Sequence, residues 1–165
     1  MSELAYVIEP ERPDDAAPIE RLSARAFGPG RFARSAYRLR EKSPSDPTLS
    51  RVARIGSLMI ACNAMTPISI GGAPALLLGP LVVEPAFRRH GVGAALIRDA
   101  LAAAAAAGHR LVLLVGDEPF YGRFGFKRAP PGRLEFPGPV DPARLLVCEL
   151  VAGAFEGASG AVGPA

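Results

Sequence analysis

Six consecutive residues, Arg88-Arg89-His90-Gly91-Val92-Gly93, put three basic side chains and two glycines directly ahead of a long Ala/Leu segment beginning at Ala94. The chemistry such a turn supports is anion binding. A helix N-terminus leaves backbone N–H groups unpaired and carries roughly half a positive charge, so a phosphate delivered there finds hydrogen-bond partners and complementary charge together. Gly91 and Gly93 have no Cβ to obstruct an oxygen and can take φ > 0, which lets successive N–H groups converge as a nest. Two further residues have side chains able to exchange a proton, each with a purely structural reading beside it. Tyr121 is a phenol that can give up a proton, although its neighbours Phe120 and Phe124 also make it a candidate for plain aromatic packing. Glu84 is an acid at the end of an apolar run and can act as a base, or can simply close a strand ahead of Pro85. Other chemistries find no support. There is no Gly-Lys-Ser/Thr for a nucleoside-triphosphate loop, and Gly91-Val92-Gly93-Ala94-Ala95-Leu96 lacks the last glycine of the dinucleotide fingerprint. His90 and His109 have no Cys or carboxylate at ligand spacing, and neither Cys62 nor Cys148 has a neighbouring base, so no metal centre or thiol nucleophile is expected.

The elements that must position these residues follow from the pattern. Ala75 to Val83 is apolar on both faces and belongs in the middle of a sheet, covered on both sides. Gly79-Pro80 interrupts it. Proline cannot donate to a ladder, so the pair marks a bulge or a place where strand pairing stops. Gly91 to Ala107 reads as a helix with two apolar ridges, Val92/Leu96/Ala100/Ala103 and Ile97/Leu101/Ala104, ending at Gly108. Arg110 to Val115 is a second apolar strand, parallel to Ala75 to Val83 because a helix crosses between them. Gly116-Asp117-Glu118-Pro119 opens a short helix with Asp117 as cap, which carries Phe120, Tyr121 and Phe124.

Upstream, a strand at Ala5 to Glu9 precedes a helix capped by Asp14 or Asp15, with Ile19, Leu22 and Ala26 on one face. Arg31 to Lys42 is a basic helical segment, either a solvated face or a rim that attracts anions. A hairpin joins Arg51–Ile55 to Leu58–Ile70 through Gly56-Ser57. Downstream, Gly125 to Arg128 turns into another strand, Ala129 to Asp141 is a Pro/Gly-rich loop, and Arg144 to Val151 is the last strand. The Gly/Ala tail, 152–165, is expected to be loosely ordered.

The chain has 165 residues, 49% of them hydrophobic, enough for one sizeable core and too few for two ordinary domains. The expectation is a single domain over 1–165 in the α/β (α+β) class. Nineteen cations face sixteen acids, and seventeen of the nineteen are Arg, so the pI of 9.2 reflects arginine usage rather than a nucleic-acid footprint. The two cysteines are isolated in apolar runs, which suits a reducing compartment. No apolar stretch reaches the roughly 18 residues of a membrane span. Together these predict a cytoplasmic protein with no nucleic-acid and no membrane partner, and leave a homodimer open.

Two motifs at their spacing carry a family resemblance. Arg88-Arg89-His90-Gly91-Val92-Gly93, between a central strand and a long helix, resembles the Arg/Gln-x-x-Gly-x-Gly/Ala loop of the GNAT-type N-acetyltransferases. Downstream, Gly116-Asp117-Glu118-Pro119-Phe120-Tyr121-Gly122-Arg123-Phe124-Gly125-Phe126 is similar to that superfamily's short helix ending in Tyr-x-x-x-Gly-Phe. Leu-Gly-Pro-Leu-x-Val together with Tyr-Gly-Arg-Phe-Gly-Phe resembles one branch of it, the YhbS-like predicted acetyltransferases. The resemblance is closest from Leu76 to Arg128. It implies a mixed, centrally splayed β-sheet flanked by helices, and acetyl-CoA as cofactor. It also implies direct transfer of an acetyl group to an amine of an unidentified small molecule or peptide, without a covalent enzyme intermediate. The backbone of Leu81, Val82 and Val83 would face the pantetheine arm, and Arg88, Arg89, His90, Gly91, Val92, Gly93 and Ala94 would hold the pyrophosphate. Tyr121 would serve the leaving thiolate as acid while touching the cofactor, Asp117 would touch the cofactor, and Glu84 would be the general base. A non-catalytic acyl-CoA-binding sensor or structural paralogue is the alternative reading.

Overall fold

A computed structural model describes residues 5–28 and 35–165. Its strands are β1 (Val7–Pro10), β2 (Arg51–Ile55), β3 (Leu58–Ile70), β4 (Ala73–Val83), β5 (Leu111–Val115), β6 (Lys127–Arg128), β7 (Leu134–Glu135), β8 (Leu145–Glu149) and β9 (Gly160–Pro164). Its α-helices are α1 (Ala16–Phe27), α2 (Ser35–Lys42), α3 (Val92–Ala106) and the single turn α4 (Glu118–Tyr121). The first part of the basic segment, 31–34, lies outside the described residues.

The strands form one mixed sheet in the order β1-β2-β3-β4-β5-β8-β6. β1 to β4 are antiparallel neighbours, whereas β5 runs parallel to β4, as the intervening α3 requires. The apolar alternation of β4 explains why both faces are covered. Leu76 and Leu78 pack under α3 with Ile97, Ala100, Leu101 and Ala104, while Leu77 points to the opposite face with Leu113, Leu145 and Leu39 of α2. Further along that second face, Leu22 of α1 packs on Val52, Cys62 and Val82. Each of these leucines is essentially removed from water, worth about 2 kcal/mol apiece in transfer free energy.

The C-terminal residues depart from expectation. The tail 152–165 is not loose: β9 pairs with β3 at Ile68–Ile70, continuing the edge that β2 leaves, and also with β7 inside the Pro/Gly-rich loop. Phe155, Ala158 and Val162 are buried against the sheet. The Arg133 guanidinium donates to the carbonyls of Phe155 and Ala158 and lies 4.2 Å over the Phe155 ring. Close backbone approach is what the small residues supply. A Cβ on Gly71 would fall 1.8 Å from the Ser159 carbonyl oxygen, so only glycine lets the two segments meet there.

Charge fixes the N-terminal end. Arg54 donates to Glu9 at 2.6 Å and to Asp15 at 2.5 Å, and the Arg12 N–H also donates to Asp15 at 2.7 Å. Burial opposes the Asp15 charge, but the Arg54 and Arg12 hydrogen bonds outweigh it and hold this carboxyl below its ordinary pKa. The Arg54 hydrogen bond does the same for the half-buried Glu9. Groups with depressed folded-state pKa values stabilise the fold above the ordinary carboxylate pKa and lose that contribution as pH falls through the folded value. Glu11 acts oppositely, since burial and then the Asp15 charge raise its pKa. Two against one, thermal melts should lose stability below about pH 4. Arg54→Met should destabilise the protein by about 2 kcal/mol at pH 7 by leaving the 3%-exposed Asp15 without its ionic partner, and by less in acid, where the buried carboxyl deprived of Arg54 takes up a proton; thermal melts of both proteins against pH check it.

Candidate active site

The turn after β4 has the geometry an anion needs. Phe87 N–H closes on the Glu84 carbonyl at 2.8 Å, Arg89 takes φ 72°, and Gly91 takes φ 75° as the N-cap residue of α3. The first helix-closing bond runs from Ala95 N–H to the Gly91 carbonyl at 3.0 Å, so Val92, Gly93 and Ala94 present N–H groups without helical partners. Arg88, Arg89, His90 and Gly91 are exposed, and a Cβ built on Gly91 would meet nothing within 4 Å. Gly93 fixes the helix to the strand. Its Cβ position lies 3.6 Å from both the Leu81 and the Val83 side chains.

Those two residues belong to a stretch of β4 that has lost its partner on one side. β4 and β5 pair only at Leu76–Val112 and Leu77–Leu113, so the sheet opens from Leu78 onward. Gly79-Pro80 marks the opening in two ways. Its peptide is cis with Gly79 at φ 119°, and the β3–β4 register gains a residue there, from Met65–Leu78 to Asn63–Leu81. Glu84 N–H donates to Ile60 of β3 at 2.8 Å. By the two-residue period of a strand, Val82 also turns its backbone toward β3, whereas Leu81 and Val83 turn theirs to the open edge. Val82, expected beside them as a cofactor contact, therefore directs its backbone to β3 and packs its side chain on Leu22.

The opening ends in a cavity of about 780 Å³ on the α1/α2 side of the sheet. Leu78 to Leu81 and Val115 to Asp117 form its floor, α1 gives Ile19, Glu20, Ser23 and Phe27, and α2 gives Tyr37 and Arg40. The loop before β8 adds Pro139, Val140, Asp141 and Arg144. Tyr121 lines it with Phe120. The Tyr121 ring is held edge-on by Phe120 at 4.9 Å and Phe126 at 6.0 Å, so the packing foreseen from sequence is real and fixes the ring in the cavity wall. Burial, then the Asp117 charge, raise the phenol pKa, with Arg144 opposing. The hydroxyl therefore keeps its proton throughout the neutral range and is a donor rather than a base.

Gly116 makes room for that ring. A Cβ there would lie 2.5 Å from Tyr121 Cε2 and 2.9 Å from Cδ2. Gly116→Ala should push the phenol out of place, lowering turnover about tenfold while costing about 1–3 kcal/mol of stability from overpacking; turnover and thermal melts on the same preparation check it.

The structure does not bring Glu84 to the cavity. Its carboxylate accepts from Arg25 of α1 at 2.7 Å on the surface, and it is absent from the cavity wall. Asp117 does reach the cavity. It occupies the N-cap position of α4 through its backbone, since its carbonyl accepts from Phe120 and Tyr121, but its side chain makes no cap bond and instead pairs with Arg144 at 3.3 Å. Arg40 comes from the basic segment read as a solvated face or an anion-attracting rim, whereas Glu20, Asp141 and Arg144 are the charged cavity residues missed in the sequence. Nothing local distinguishes them from solvated residues. Cys62 and Cys148 are buried away from the cavity wall, with burial pushing Cys62 up to about 12 and Cys148 upward. Among the described residues no group of three or more His, Cys, Asp or Glu could hold a metal, and no helix is long and apolar enough to cross a membrane.

Comparison with known proteins places this geometry. The Acetyltransferase (GNAT) domain matches residues 50–128, which span the hairpin, the opened strand, the turn, α3 and Tyr121. The uncharacterized N-acetyltransferase YhbS of Escherichia coli K12 is 30% identical over 159 residues, covering 94% of each chain. The crystal structure of E. coli YhbS in complex with CoA superposes with a TM-score of 0.83 at 26% identity, over 100% of this chain and 93% of that one. A GNAT family acetyltransferase from Brucella melitensis, solved with acetyl-CoA, gives 0.62 at 33% identity over 92% and 98%. With sequence and fold alike over nearly the full length, the chain belongs to the GNAT acetyltransferase family.

Proposed function

We propose that this acetyltransferase binds acetyl-CoA along the open edge of β4 and passes the acetyl group directly to an amine of a small molecule or peptide in the α1/α2 cavity. The observation that carries the reading is the continuity of three features: the N–H groups of α3 that lack helical partners, the free backbone of Leu81 and Val83 beneath Gly93, and the cavity wall holding Tyr121. These residues suit the cofactor. The turn offers unpaired donors and open space at Gly91 for a pyrophosphate, and the strand edge offers hydrogen bonds to an amide-bearing arm. Bound acetyl-CoA supplies an acetyl group activated as a thioester; its transfer forms an amide C–N bond, breaks the C–S bond, and leaves one proton to be taken from nitrogen and one to be given to sulfur.

Arg88 and Arg89 add exposed positive charge to the pyrophosphate site, and Asp117 is the cofactor contact proposed at the cavity floor. Tyr121 Oη donates the proton to sulfur, its ring held by Phe120 and Phe126. No thiol of the protein takes part, because a cysteine held protonated by burial and remote from the cavity is a poor nucleophile. Calorimetric titration with acetyl-CoA, followed by thiol release on an amine panel, tests the proposal. Binding with release on at least one amine is expected. Tight binding without release on any amine assigns the chain to the non-catalytic sensor class instead, a reading favoured by the commitment of Glu84 to Arg25.

A further inference from the structure

Tyr121 has to give its proton to sulfur from a place that disfavours the loss. A phenol of ordinary pKa about 10 is a weaker acid than a thiol at about 8.5, and burial and then the Asp117 charge push this phenol higher still. The fold fixes that carboxylate there. Asp117 opens α4, and its carbonyl accepts from Phe120 at 3.1 Å and from Tyr121 at 3.0 Å. A cation held beside them would offset both effects, and one residue of the cavity wall is held in that way. The Arg144 carbonyl accepts from the Gly116 N–H at 2.9 Å, and the Arg144 Nε lies 3.3 Å from Asp117 Oδ1. Gly116 is the residue against the Tyr121 ring, its Cβ position 2.5 Å from Cε2, so Arg144 is clasped through main chain and side chain to the two residues that border the phenol. Its guanidinium has no other partner among the described residues. The other charges around the cavity are Asp141 before β8, Glu20 of α1 and Arg40 of α2.

Resting on the acetyltransferase reading above, we infer that Arg144 is a positioning residue for the acid: it neutralises Asp117 and stabilises the phenolate that Tyr121 becomes during transfer. As the C–S bond breaks, sulfur leaves with the electron pair and takes the phenolic proton. The proton lost from the acceptor nitrogen as the C–N bond forms restores the phenol through solvent, so protons and charge balance. Arg144 acts through Tyr121 in this role and not on substrate or cofactor.

A double-mutant cycle on kcat tests this, with the panel amine that releases thiol fastest as acceptor. Arg144→Gln should lower kcat about tenfold while acetyl-CoA affinity and the acceptor KM stay within about twofold. Arg144→Lys, which keeps the charge, should recover part of the loss. In the Tyr121→Phe background the same Arg144→Gln change should leave kcat unaltered, because the group it acts through is gone; a merely structural loss would persist there. Spectrophotometric titration gives a second readout, with Tyr121 isolated from Tyr6 and Tyr37 by subtracting the Tyr121→Phe curve. The Tyr121 midpoint should move up in Arg144→Gln and down in Asp117→Asn, whose side chain takes no part in capping α4. Should Arg144→Gln not fold, Asp117→Asn decides, and a midpoint that does not fall overturns the coupling. Additive losses in the cycle, a raised acceptor KM at unchanged kcat, or a midpoint indifferent to Arg144→Gln overturns the role of Arg144 while leaving the acetyltransferase intact. Acetyl-CoA binding without thiol release on any amine overturns both.

Discussion

Gly91→Glu is expected to weaken acetyl-CoA binding at least a thousandfold while the protein stays folded. Two effects act at once. The new carboxylate stands at the N-terminus of α3 where the pyrophosphate is to sit, and every N–H group of the turn that an anion needs then has an internal anion to bind. A thousandfold is about 4 kcal/mol, in keeping with like charges brought together at a partly shielded site. The fold has little reason to suffer. Nothing lies within 4 Å of the Cβ position, and an acid at a helix N-terminus is favourable to the helix, which offsets the roughly 1–2 kcal/mol of holding a non-glycine residue at φ 75°. Calorimetry against acetyl-CoA and a thermal melt measure the two sides separately. Unchanged affinity in a folded variant removes the turn from the cofactor site.

Tyr121→Phe should lower kcat about a hundredfold with acetyl-CoA affinity changed less than threefold, because only the hydroxyl is lost. The ring contacts to Phe120 and Phe126 are kept, so the melt should move little. A further check uses the direction of the pKa shift. Burial and the Asp117 charge raise the phenol above its ordinary value of about 10, so the donor form persists to still higher pH. Wild-type kcat should accordingly show no alkaline limb from this group below pH 10. Wild-type turnover in the phenylalanine variant returns Tyr121 to a packing role, and an alkaline limb near neutrality that the variant abolishes contradicts the raised pKa.

Much of the site could be read without coordinates because it is local in sequence. The turn from Arg88 to Gly93 follows β4 and precedes α3 directly, and glycine, helix N-terminus and cation are adjacent residues. Leu58–Ile70 was legible from residue pattern to the residue, and the parallel pairing of β4 with β5 followed from one helix lying between two apolar runs. Gly79-Pro80 announced an irregularity through proline's missing donor, although its two consequences, the extra residue against β3 and the end of pairing with β5, are visible only when both neighbours are in place.

The sequence by itself determined the order of elements, the anion turn, the short helix that carries Tyr121 and, through two spaced motifs, the family. Tertiary structure alone decided which charges meet. Glu84 is adjacent to the site in sequence, yet it faces Arg25, 59 residues away, and so leaves the cavity, while Glu20 and Arg40 enter it from helices packed over the sheet. The same holds for the tail. Its Gly/Ala composition has no periodicity to announce a strand, and β9 forms because Gly71 lets Ser159 approach and because β3 extends past the end of β2. Spacing along the chain encodes backbone conformation within a few residues, whereas the pairing of side chains far apart depends on how the layers stack.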